Sequence, residues 1–433
     1  MGQNSSQGSS MTQVSVIVVG AGSRGDNYSN FATIHPDRTK VVGVADPRKF
    51  ARTKLQQKHN IKSENVFEDW ESMAAREKFA DAALICTPDR LHKDPAVAFA
   101  KKGYHILLEK PMATTPEDCT AIVEAVTKSG VMLSVGHVLR YDPSIHKIKE
   151  LIEEGAIGDV VHIQHLEPVG FYHFAHSFVR GNWRNEAESS FALMAKSCHD
   201  IDLIHHWAGT RRCVKVSSFG AVSHFKKADK PAGAGDRCLD CPIERDCPYS
   251  ASKIYLDRGH TGWPVSVICP NSYPDIESVT EALRSGPYGR CVYECDNDVC
   301  SNQVVNMEFE GGVTAAFSMV AFTEKLCQRQ TTIYGTELSY DANGVRVFDF
   351  LTQKSTKHNP HNDAPKHFGM NGHGGADYHL MNAFISAVAN NDPSFIRSGP
   401  EETLHSHLLV FEAERSRVQG RVVYCGENDG KES

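Results

Sequence analysis

Short apolar runs alternate with longer amphipathic segments over the first third of the chain. The runs that predict strands are residues 14–19, 41–46, 82–87, 105–108 and 131–135. Segments between them, including 94–102 and 116–129, space their apolar residues as helices do. Strands that alternate with helices in this way are typical of a parallel sheet covered on both faces. We therefore predict a doubly wound Rossmann domain over residues 14–140.

The pattern changes after residue 140. A helical segment at 145–154 precedes β-type runs at 160–166, 214–222, 303–309, 313–320, 329–335 and 344–350, and helical segments at 378–390 and 401–419 close the chain. Glu310-Gly311-Gly312 lies between two of these runs and predicts a hairpin turn. We predict a second, α+β domain over 141–433 with a largely antiparallel open sheet. A cysteine-rich insertion lies within it at about 224–300, and residues 1–13 are a polar, disordered tail.

Composition and charge narrow the classes of function that this protein could have. The 433 residues carry a net charge of −7, with Lys and Arg spread along the chain, so nothing favours nucleic acid. We find no apolar run long enough for a membrane span and no secretory signal, and we expect a cytoplasmic protein. Met1–Ser6 fits the N-myristoylation pattern, but no polybasic patch follows, so we interpret it as an ordinary polar tail without stable membrane association.

The first strand leads directly into Gly20-Ala-Gly22-Ser23-Arg24-Gly25, which is followed by a helical segment. Such glycines allow a tight turn, close approach of a pyrophosphate and close packing of strand and helix. Asp46 ends the second strand about 20 residues later, where a carboxylate binds the ribose of NAD. Arg48 follows and could accommodate the extra phosphate of NADP. We predict NAD as the cofactor and keep NADP as the alternative.

Other unusual residues follow the remaining strands. Thr87-Pro88, Glu109-Lys110-Pro111 and Gly136-His137 each stand at the carboxyl end of a predicted strand. Ligands of doubly wound sheets bind outside these ends. We therefore expect these groups to meet the glycine turn at one edge of the sheet.

Taken together, the chain resembles the glucose–fructose oxidoreductase/inositol dehydrogenase (Gfo/Idh/MocA) family. The resemblance rests on Gly20–Gly25, Thr87-Pro88 with His92, Glu109-Lys110-Pro111, Arg140-Tyr141, and His199 with Asp202. It implies a Rossmann domain joined to an open-sheet domain that binds substrate and forms homo-oligomers, a dimer or tetramer here. It also implies oxidation or reduction of a hydroxyl or carbonyl group on a sugar, polyol or sugar acid with NAD or NADP.

Four residues are expected to perform catalysis. Lys110 is the candidate acid or base for the substrate hydroxyl, because hydride transfer from an alcohol also requires proton transfer. In a helix, Lys196, His199 and Asp202 would share one face, with His199 at the hydroxyl and Asp202 fixing its ring. Many members carry Asp four residues before this His, whereas this chain has Ala195. We therefore consider Lys196 as a replacement donor.

Binding residues complete the expected site. The residues expected at the cofactor are Gly20, Gly22, Ser23, Arg24, Gly25, Asp46, Arg48, Thr87, Pro88, His92, Glu109, Lys110 and His137. Those expected at the substrate are Arg140, Tyr141, Tyr172, His176, Arg180, Trp183, Arg184 and His199. Residues 171–184 could equally be an aromatic cluster for oligomer contact. His373-Gly-Gly-Ala-Asp377 either approaches the cleft or forms the turn before a helix.

Seven of the thirteen cysteines fall between residues 238 and 300. Cys238, Cys241 and Cys247 form a C-x2-C-x5-C pattern. The possible fourth ligands are Cys269, Cys291, Cys295 and Cys300, of which we choose Cys291. Short cysteine knuckles of this kind suit tetrahedral zinc, and a site of four cysteines is structural. We predict structural zinc, with an iron–sulfur cluster and free thiols as alternatives.

Two other functions remain open from the sequence. One is redox-neutral cleavage of a glycoside, in which bound NAD takes a hydride and returns it after elimination. The other is a non-catalytic sensor that binds dinucleotide on the same scaffold. The presence of both Lys110 and His199 disfavours the sensor.

Overall fold

The computed structural model describes residues 12–335, 337–341, 344–361, 363, 365, 369–370 and 372–426. Gly2 and the rest of the predicted tail, except Thr12 and Gln13, lie outside these residues. No helix among the described residues is both long and apolar enough to cross a membrane.

The first domain is a parallel sheet with helices on both faces. Its strands are β1 (Val14–Val19), β2 (Thr39–Ala45), β3 (Val66–Phe67), β4 (Ala82–Ile85), β5 (His105–Leu108) and β6 (Leu133–Val135). Its helices are α1 (Ser23–Ile34), α2 (Lys49–His59), α3 (Trp70–Ala75), α4 (Lys93–Lys101) and α5 (Pro116–Ser129). The strand order is β3-β2-β1-β4-β5-β6, with all neighbours parallel. The winding direction reverses between β1 and β4, where such sheets bind ligands.

This arrangement confirms the predicted doubly wound sheet. The apolar runs became its central strands because they are covered on both faces: every residue of β4 is buried, and so is nearly all of β1. The pattern missed β3, because two half-buried residues are too few to show a period.

The second domain begins with α6 (Pro143–Glu153). Its strands are β7 (His162–Pro168), β8 (Cys213–Ala221), β9 (Asn302–Phe309), β10 (Thr314–Val320), β11 (Gln330–Tyr334), β12 (Glu337–Asp341), β13 (Gly344–Asp349), β14 (Lys354–His358) and β15 (Val423–Tyr424). Its other helices are α7 (Phe171–Phe174), α8 (Ala192–Ala195), α9 (Cys198–Ala208), α10 (Ala251–Tyr255), α11 (Val265–Ile268), α12 (Ile276–Ser285), α13 (Ala376–Asn390) and α14 (Pro400–Gln419).

The strands of the second domain form one open sheet. Among the described residues the order is β14-β13-β12-β11-β7-β10-β9-β8-β15, antiparallel throughout except for β7 with β10. The predicted turn at Glu310–Gly312 joins β9 to β10, and its two glycines have φ of +80° and +82°. This confirms a largely antiparallel α+β domain. Sequence reasoning missed β12, β14 and β15; β14 is almost fully exposed and carries little hydrophobic signal.

Helix α14 packs against both domains. Leu404 and Phe411 contact the core around α5, while Leu409, Val410 and Ala413 belong to the larger core that includes the second sheet. The backbone N–H of Met112, just after β5, donates to Nε2 of His407 at 2.9 Å. The end of the chain therefore helps to hold the edge of the parallel sheet against the second domain.

Candidate active site

The glycine turn lies between β1 and α1, at the carboxyl edge of the parallel sheet. Gly20 has a φ of +93°, and a Cβ there would lie 2.5 Å from the carbonyl oxygen of Cys86. At Gly25 a Cβ would lie 2.1 Å from the carbonyl oxygen of Gly20. No side chain caps α1 at Gly22, so the first N–H groups of the helix can bind an anion. Ser23 is the exposed first residue of that helix. This turn fits the pyrophosphate of a dinucleotide.

Asp46 joins the end of β2 to this turn. It is 3% exposed, and its Oδ2 accepts from the backbone N–H of Ala21 at 2.7 Å. Arg48 donates to the same oxygen from Nη2 at 2.8 Å. A carboxylate here can bind a ribose hydroxyl, and a nearby arginine can accommodate a 2′-phosphate. Asp46 and Arg48 thus lie together, as expected for the two residues that determine the preference between NAD and NADP.

A C-terminal segment returns to the glycine turn. Arg24 of α1 donates to both oxygens of Asp377, at 2.8 and 2.9 Å, and to Oε1 of Glu109 at 2.6 Å. Nδ1 of His373 lies 3.0 Å from Asp377. Burial alone would raise the pKa of Asp377, but Arg24 and His373 outweigh it and hold that pKa far below its usual value. The His373–Asp377 segment is therefore both the turn before α13 and a wall of the cleft.

Lys110 follows β5 and points toward the second domain. Its Nζ donates to the carbonyl oxygen of Ala195, at the end of α8, at 2.6 Å. The same atom lies 5.9 Å from the ring centre of Trp183. The backbone N–H of Lys110 donates to Glu109 at 3.0 Å, so one carboxylate links Lys110 to Arg24. The ammonium is held at the junction of the two domains, next to an aromatic face.

His199 lies on α9 and is almost fully buried. Its Nδ1 is 3.4 Å from Nδ1 of His137, and its ring centre is 6.0 Å from that of His373. Burial, with the charges of Lys110 and His137, holds the pKa of His199 well below its usual value. The imidazole is therefore neutral near pH 7 and can donate or accept a hydrogen bond.

Asp202 does not bond to His199, contrary to expectation. It accepts from Arg140 at 2.6 and 2.7 Å and from Ser406 Oγ at 2.8 Å. It lies 3.8 Å from Nδ1 of His137. Burial alone would raise the pKa of Asp202, but Arg140 and His137 outweigh it and lower that pKa strongly. His137 thus stands between Asp202 and His199.

Lys196 does not share the helical face of His199. The helix breaks between α8 and α9, and Lys196 lies in the break, because residues 196 and 197 leave regular helical geometry. Its Nζ is 3.1 Å from Glu167 and 3.0 Å from the sulfur of Cys327. Burial opposes the charge of Lys196, but Cys327 and Glu167 outweigh it and raise its pKa above the ordinary value. Lys196 is accordingly held as a buried cation by Glu167 and Cys327.

Residues 171–184 are the aromatic segment expected to bind substrate. Within this segment, Trp183 lies next to Lys110. Trp183 Nε1 donates to Asp89 at 3.0 Å. The other side chains expected at the substrate bind protein groups instead: Arg140 binds Asp202, Tyr141 Ser398, Tyr172 the guanidinium of Arg258, His176 Tyr255, Arg180 Cys238, and Arg184 Asp296. These side chains are therefore held by other protein groups.

His92 braces the loop after β4. It is fully buried, and its ring nitrogens lie 2.7 Å from the carbonyl oxygen of Pro111 and 2.8 Å from that of Thr87. Thr87 in turn donates to the carbonyl oxygen of Leu91 at 2.9 Å, across the turn that begins at Pro88. His92 therefore positions the segment that carries Lys110, instead of facing a cofactor.

The structure also supplies partners that sequence reasoning missed. Asp89, which holds Trp183, is 94 residues away from it, and Ser406 is 204 residues from Asp202. Partners at such separations leave no local pattern. The glycines around His373 were a sequence signal for one of these remote contacts, because they permit the close turn that brings Asp377 to the site.

The four cysteines expected to bind zinc, Cys238, Cys241, Cys247 and Cys291, line one cavity of about 210 Å³. Within the described part of the chain, however, no group of three or more His, Cys, Asp or Glu side chains is placed to hold a metal ion. All thirteen cysteines are described there and are free thiols. The geometry does not support the zinc expectation.

The fold and the carboxyl-edge site define a dinucleotide-binding oxidoreductase. A model of the NAD-binding Rossmann domain of the Gfo/Idh/MocA oxidoreductase family matches residues 14–137, and a model of the family's C-terminal α/β domain matches residues 149–424. The chain therefore belongs to the Gfo/Idh/MocA family, as the sequence motifs indicated.

Curated relatives and solved structures agree with this assignment. The chain is 26% identical to the oxidoreductase YteT of Bacillus subtilis (strain 168) over 316 residues, 70% of each chain. It is 29% identical over 194 residues to 2,7-anhydro-N-acetylneuraminate hydratase of Escherichia coli (strain K12), covering 44% of this chain and 49% of that one. The WlbA dehydrogenase of Bordetella pertussis, solved with NADH and UDP-GlcNAcA, aligns with a TM-score of 0.65 at 19% identity, over 96% and 99% of the chains.

Proposed function

We propose that this oxidoreductase transfers hydride between NAD and a secondary hydroxyl or carbonyl group on the ring of a sugar, polyol or sugar acid. One juxtaposition supports this most directly: the Lys110 ammonium and the neutral His199 imidazole lie together at the edge where the glycine turn fits a pyrophosphate. NAD, when bound, supplies the hydride chemistry. The chain supplies binding, orientation and proton transfer.

Each residue has a distinct role in this proposal. Lys110 exchanges the proton of the substrate hydroxyl, and His199 hydrogen-bonds the same group. His137 links His199 to Asp202, which fixes the orientation of the histidine pair. Trp183 offers its face to the C–H side of a ring, since its N–H is engaged by Asp89. Asp46 binds the adenosine ribose, which favours NAD over NADP.

A screen tests the proposed reaction. Sugars, polyols, uronic acids and glycosides are incubated with NAD or NADP while nicotinamide absorbance and products are followed together. The proposal predicts stoichiometric reduction of NAD with at least one ring substrate. Turnover without any net change in NAD would contradict it, and so would an absence of turnover with dinucleotide binding retained, the behaviour of a sensor.

A redox-neutral reaction is the second candidate, and two observations favour it. Part of the chain is similar to 2,7-anhydro-N-acetylneuraminate hydratases, whose name describes no net redox change. The position of the usual Asp is Ala195, whose carbonyl oxygen accepts from Lys110. In this reaction the ring hydroxyl is oxidised, a substituent is eliminated, and the hydride is returned. Release of the substituent from a glycoside without accumulation of NADH distinguishes it from dehydrogenation.

We further propose a homo-oligomer, a dimer or tetramer, formed through the open sheet. Phe219 on β8 and Val304 on β9 are paired neighbours and are 64% and 38% exposed. Exposed apolar neighbours on a sheet suit burial against a second copy. Light scattering of the purified protein tests this, and a monomeric mass would contradict it.

Cytoplasmic location is proposed from the free cysteines and is tested by fractionation.

A further inference from the structure

A turn before helix α13 brings His373 to the active site, where the proposed hydride transfer gives it no role. His373, Gly374 and Gly375 all have left-handed backbone, with φ of +51°, +68° and +98°. Glycine adopts this conformation freely, whereas a residue with a Cβ does so less readily. Non-glycine residues of this kind persist where the surrounding structure fixes them, and they are frequent at active sites. His373 is the one of the three that carries a side chain.

Asp377, in the first turn of α13, fixes the ring of His373. Its carboxylate is fully buried and accepts from Nη1 and Nη2 of Arg24 at 2.8 and 2.9 Å and from Nδ2 of Asn27 at 3.0 Å. Oδ1 of Asp377 lies 3.0 Å from Nδ1 of His373. A Cβ at Gly372 would lie 2.1 Å from Oδ2, so the turn fits closely around this carboxylate. Asp377 thus joins His373 to the glycine turn that fits a dinucleotide.

The contact with Asp377 decides which ring nitrogen of His373 is free. An ionised carboxylate only accepts hydrogen bonds, so Nδ1 carries the hydrogen that joins the two side chains. In the neutral ring Nε2 is then an acceptor, and it has no hydrogen-bond partner among the described residues. The side chain is 37% exposed, so a ligand can reach it. A carboxylate that orients an imidazole in this way is a common arrangement for a general base.

His373 lies next to the residues proposed for hydride transfer. Its ring centre is 6.0 Å from that of His199. Burial lowers the pKa of His199 most, and the charges of Lys110, His137 and His373 lower it further. Lys110 reaches this place from the end of β5, and His373 reaches it from the turn before α13. The site therefore contains two candidate acid–base groups, which come from different segments and can serve different atoms of one substrate ring.

The chemistry of the proposed reaction leaves a task for a second base. Oxidation of a ring alcohol releases one hydride and one proton, and Lys110 is sufficient for that proton. The new carbonyl group makes the hydrogen on the neighbouring carbon acidic, because the electron pair left behind is shared with the carbonyl oxygen as an enolate. A base beside this carbon can take the hydrogen as a proton and later return a proton.

We propose that His373, oriented by Asp377, is a second catalytic residue that removes and returns the proton on the carbon next to the oxidised one. Nε2 takes the proton, and the electron pair of the broken C–H bond forms the enolate. Return of a proton to the carbon restores the ketone, so no further oxidant or reductant is needed. Where the enolate carries a substituent on the next carbon, it can instead expel that group with its bonding electrons. The inference rests on the proposed oxidation of a ring hydroxyl and adds exchange of a carbon-bound hydrogen with water.

Deuterium exchange tests this role separately from hydride transfer. The NAD-loaded full chain is mixed with an active ring substrate in D₂O. Nicotinamide absorbance is recorded together with deuterium at the neighbouring carbon, which is measured by NMR. We expect exchange at least about 100-fold faster than in the ketone without protein.

The possible results distinguish this role from the proposed function. NAD reduction without protein-dependent exchange would overturn the role of His373 and leave the proposed function intact. Exchange without net NAD reduction would support the role and favour the redox-neutral reaction. Neither signal with any ring substrate would overturn both proposals.

Variants assign the exchange to His373. His373→Gly removes the ring and suits the left-handed backbone, and His373→Asn also tolerates this backbone but has no basic nitrogen. In both variants the ratio of exchange to NAD reduction should fall at least about 100-fold. His405→Gln, which changes an exposed histidine of α14, is the matched control and should keep the wild-type ratio.

Imidazole added to His373→Gly separates proton transfer from a structural role. A free imidazole can replace the missing base but not a missing structural contact, so it should restore part of the exchange. An unchanged ratio in His373→Gly, or a loss that imidazole does not restore, would overturn the assignment.

Discussion

Asp202→Asn removes one charge from a buried ion pair beneath the candidate active site. Asp202 and Arg140 form two hydrogen bonds of 2.6 and 2.7 Å, and both side chains are at most 1% exposed. Removing one partner of such a pair leaves the other charge buried and costs about 3–5 kcal/mol. Because Asn can still accept one hydrogen bond and Arg140 keeps Glu402, we expect the lower end, about 3 kcal/mol.

Glu402→Gln is the matched control, since it removes the other carboxylate that pairs with Arg140. The side chain of Glu402 is 42% exposed, and an exposed pair contributes about 1 kcal/mol or less. Urea unfolding of both variants, followed by fluorescence and circular dichroism, measures the difference. An effect of Glu402→Gln as large as that of Asp202→Asn would refute the argument that burial decides the strength of this network.

Three further predictions concern the cofactor site and pH. Gly25→Ala should weaken NAD binding at least about 10-fold in calorimetry, because the new Cβ meets the carbonyl oxygen of Gly20. Gly262→Ala is the control and should bind NAD normally, since the space around Gly262 is open. Equal NAD affinities of the two variants would contradict the turn geometry. Asp46→Asn should lower the preference for NAD over NADP in kcat/KM at least about 10-fold, because the charge that repels a 2′-phosphate is lost; an unchanged ratio would argue against that role. Burial lowers the pKa of His407 from 6.5 to about 3. At pH values between these two, the folded state therefore binds fewer protons than the unfolded state. Stability should therefore fall as the pH drops below about 6.5, and more weakly in His407→Gln; equal pH dependence of the two urea midpoints would exclude His407 as a source.

The parallel domain was predictable because its signals are local. A buried strand such as β4 is continuously apolar, and the glycine turn must follow β1 directly. Lys110 was found in the same way, from its place at the end of β5. Weak elements were not predictable: β14 is exposed, and β15 has two residues.

The roles of the buried polar residues could not be predicted, because their partners are remote in sequence. Arg140 looked like a substrate ligand, yet it pairs with Asp202 on α9 and Glu402 on α14. Lys196 was placed on the face of His199 by assuming one continuous helix. The break before α9 instead directs it to Glu167 and Cys327. Helical spacing alone does not reveal such a break.

The cysteine cluster shows both what the sequence could predict and what it could not. Their spacing correctly predicted that Cys238, Cys241, Cys247 and Cys291 share one location. Spacing gives no information about the separation of the sulfurs or about the buried Arg180 beside them. Spacing also could not reveal that, among the described residues, no group of three or more such side chains is placed to hold a metal ion.

The rate of a single turnover in Lys110→Ala tests the central claim that Lys110 transfers the substrate proton. Nicotinamide absorbance is followed after mixing the NAD-loaded variant with an active ring substrate, and Lys128→Ala, which changes an exposed lysine at the end of α5, is the control. We predict a loss of at least about 100-fold in Lys110→Ala, with NAD affinity retained, and the wild-type rate in Lys128→Ala. A wild-type rate of nicotinamide reduction in Lys110→Ala would contradict the account.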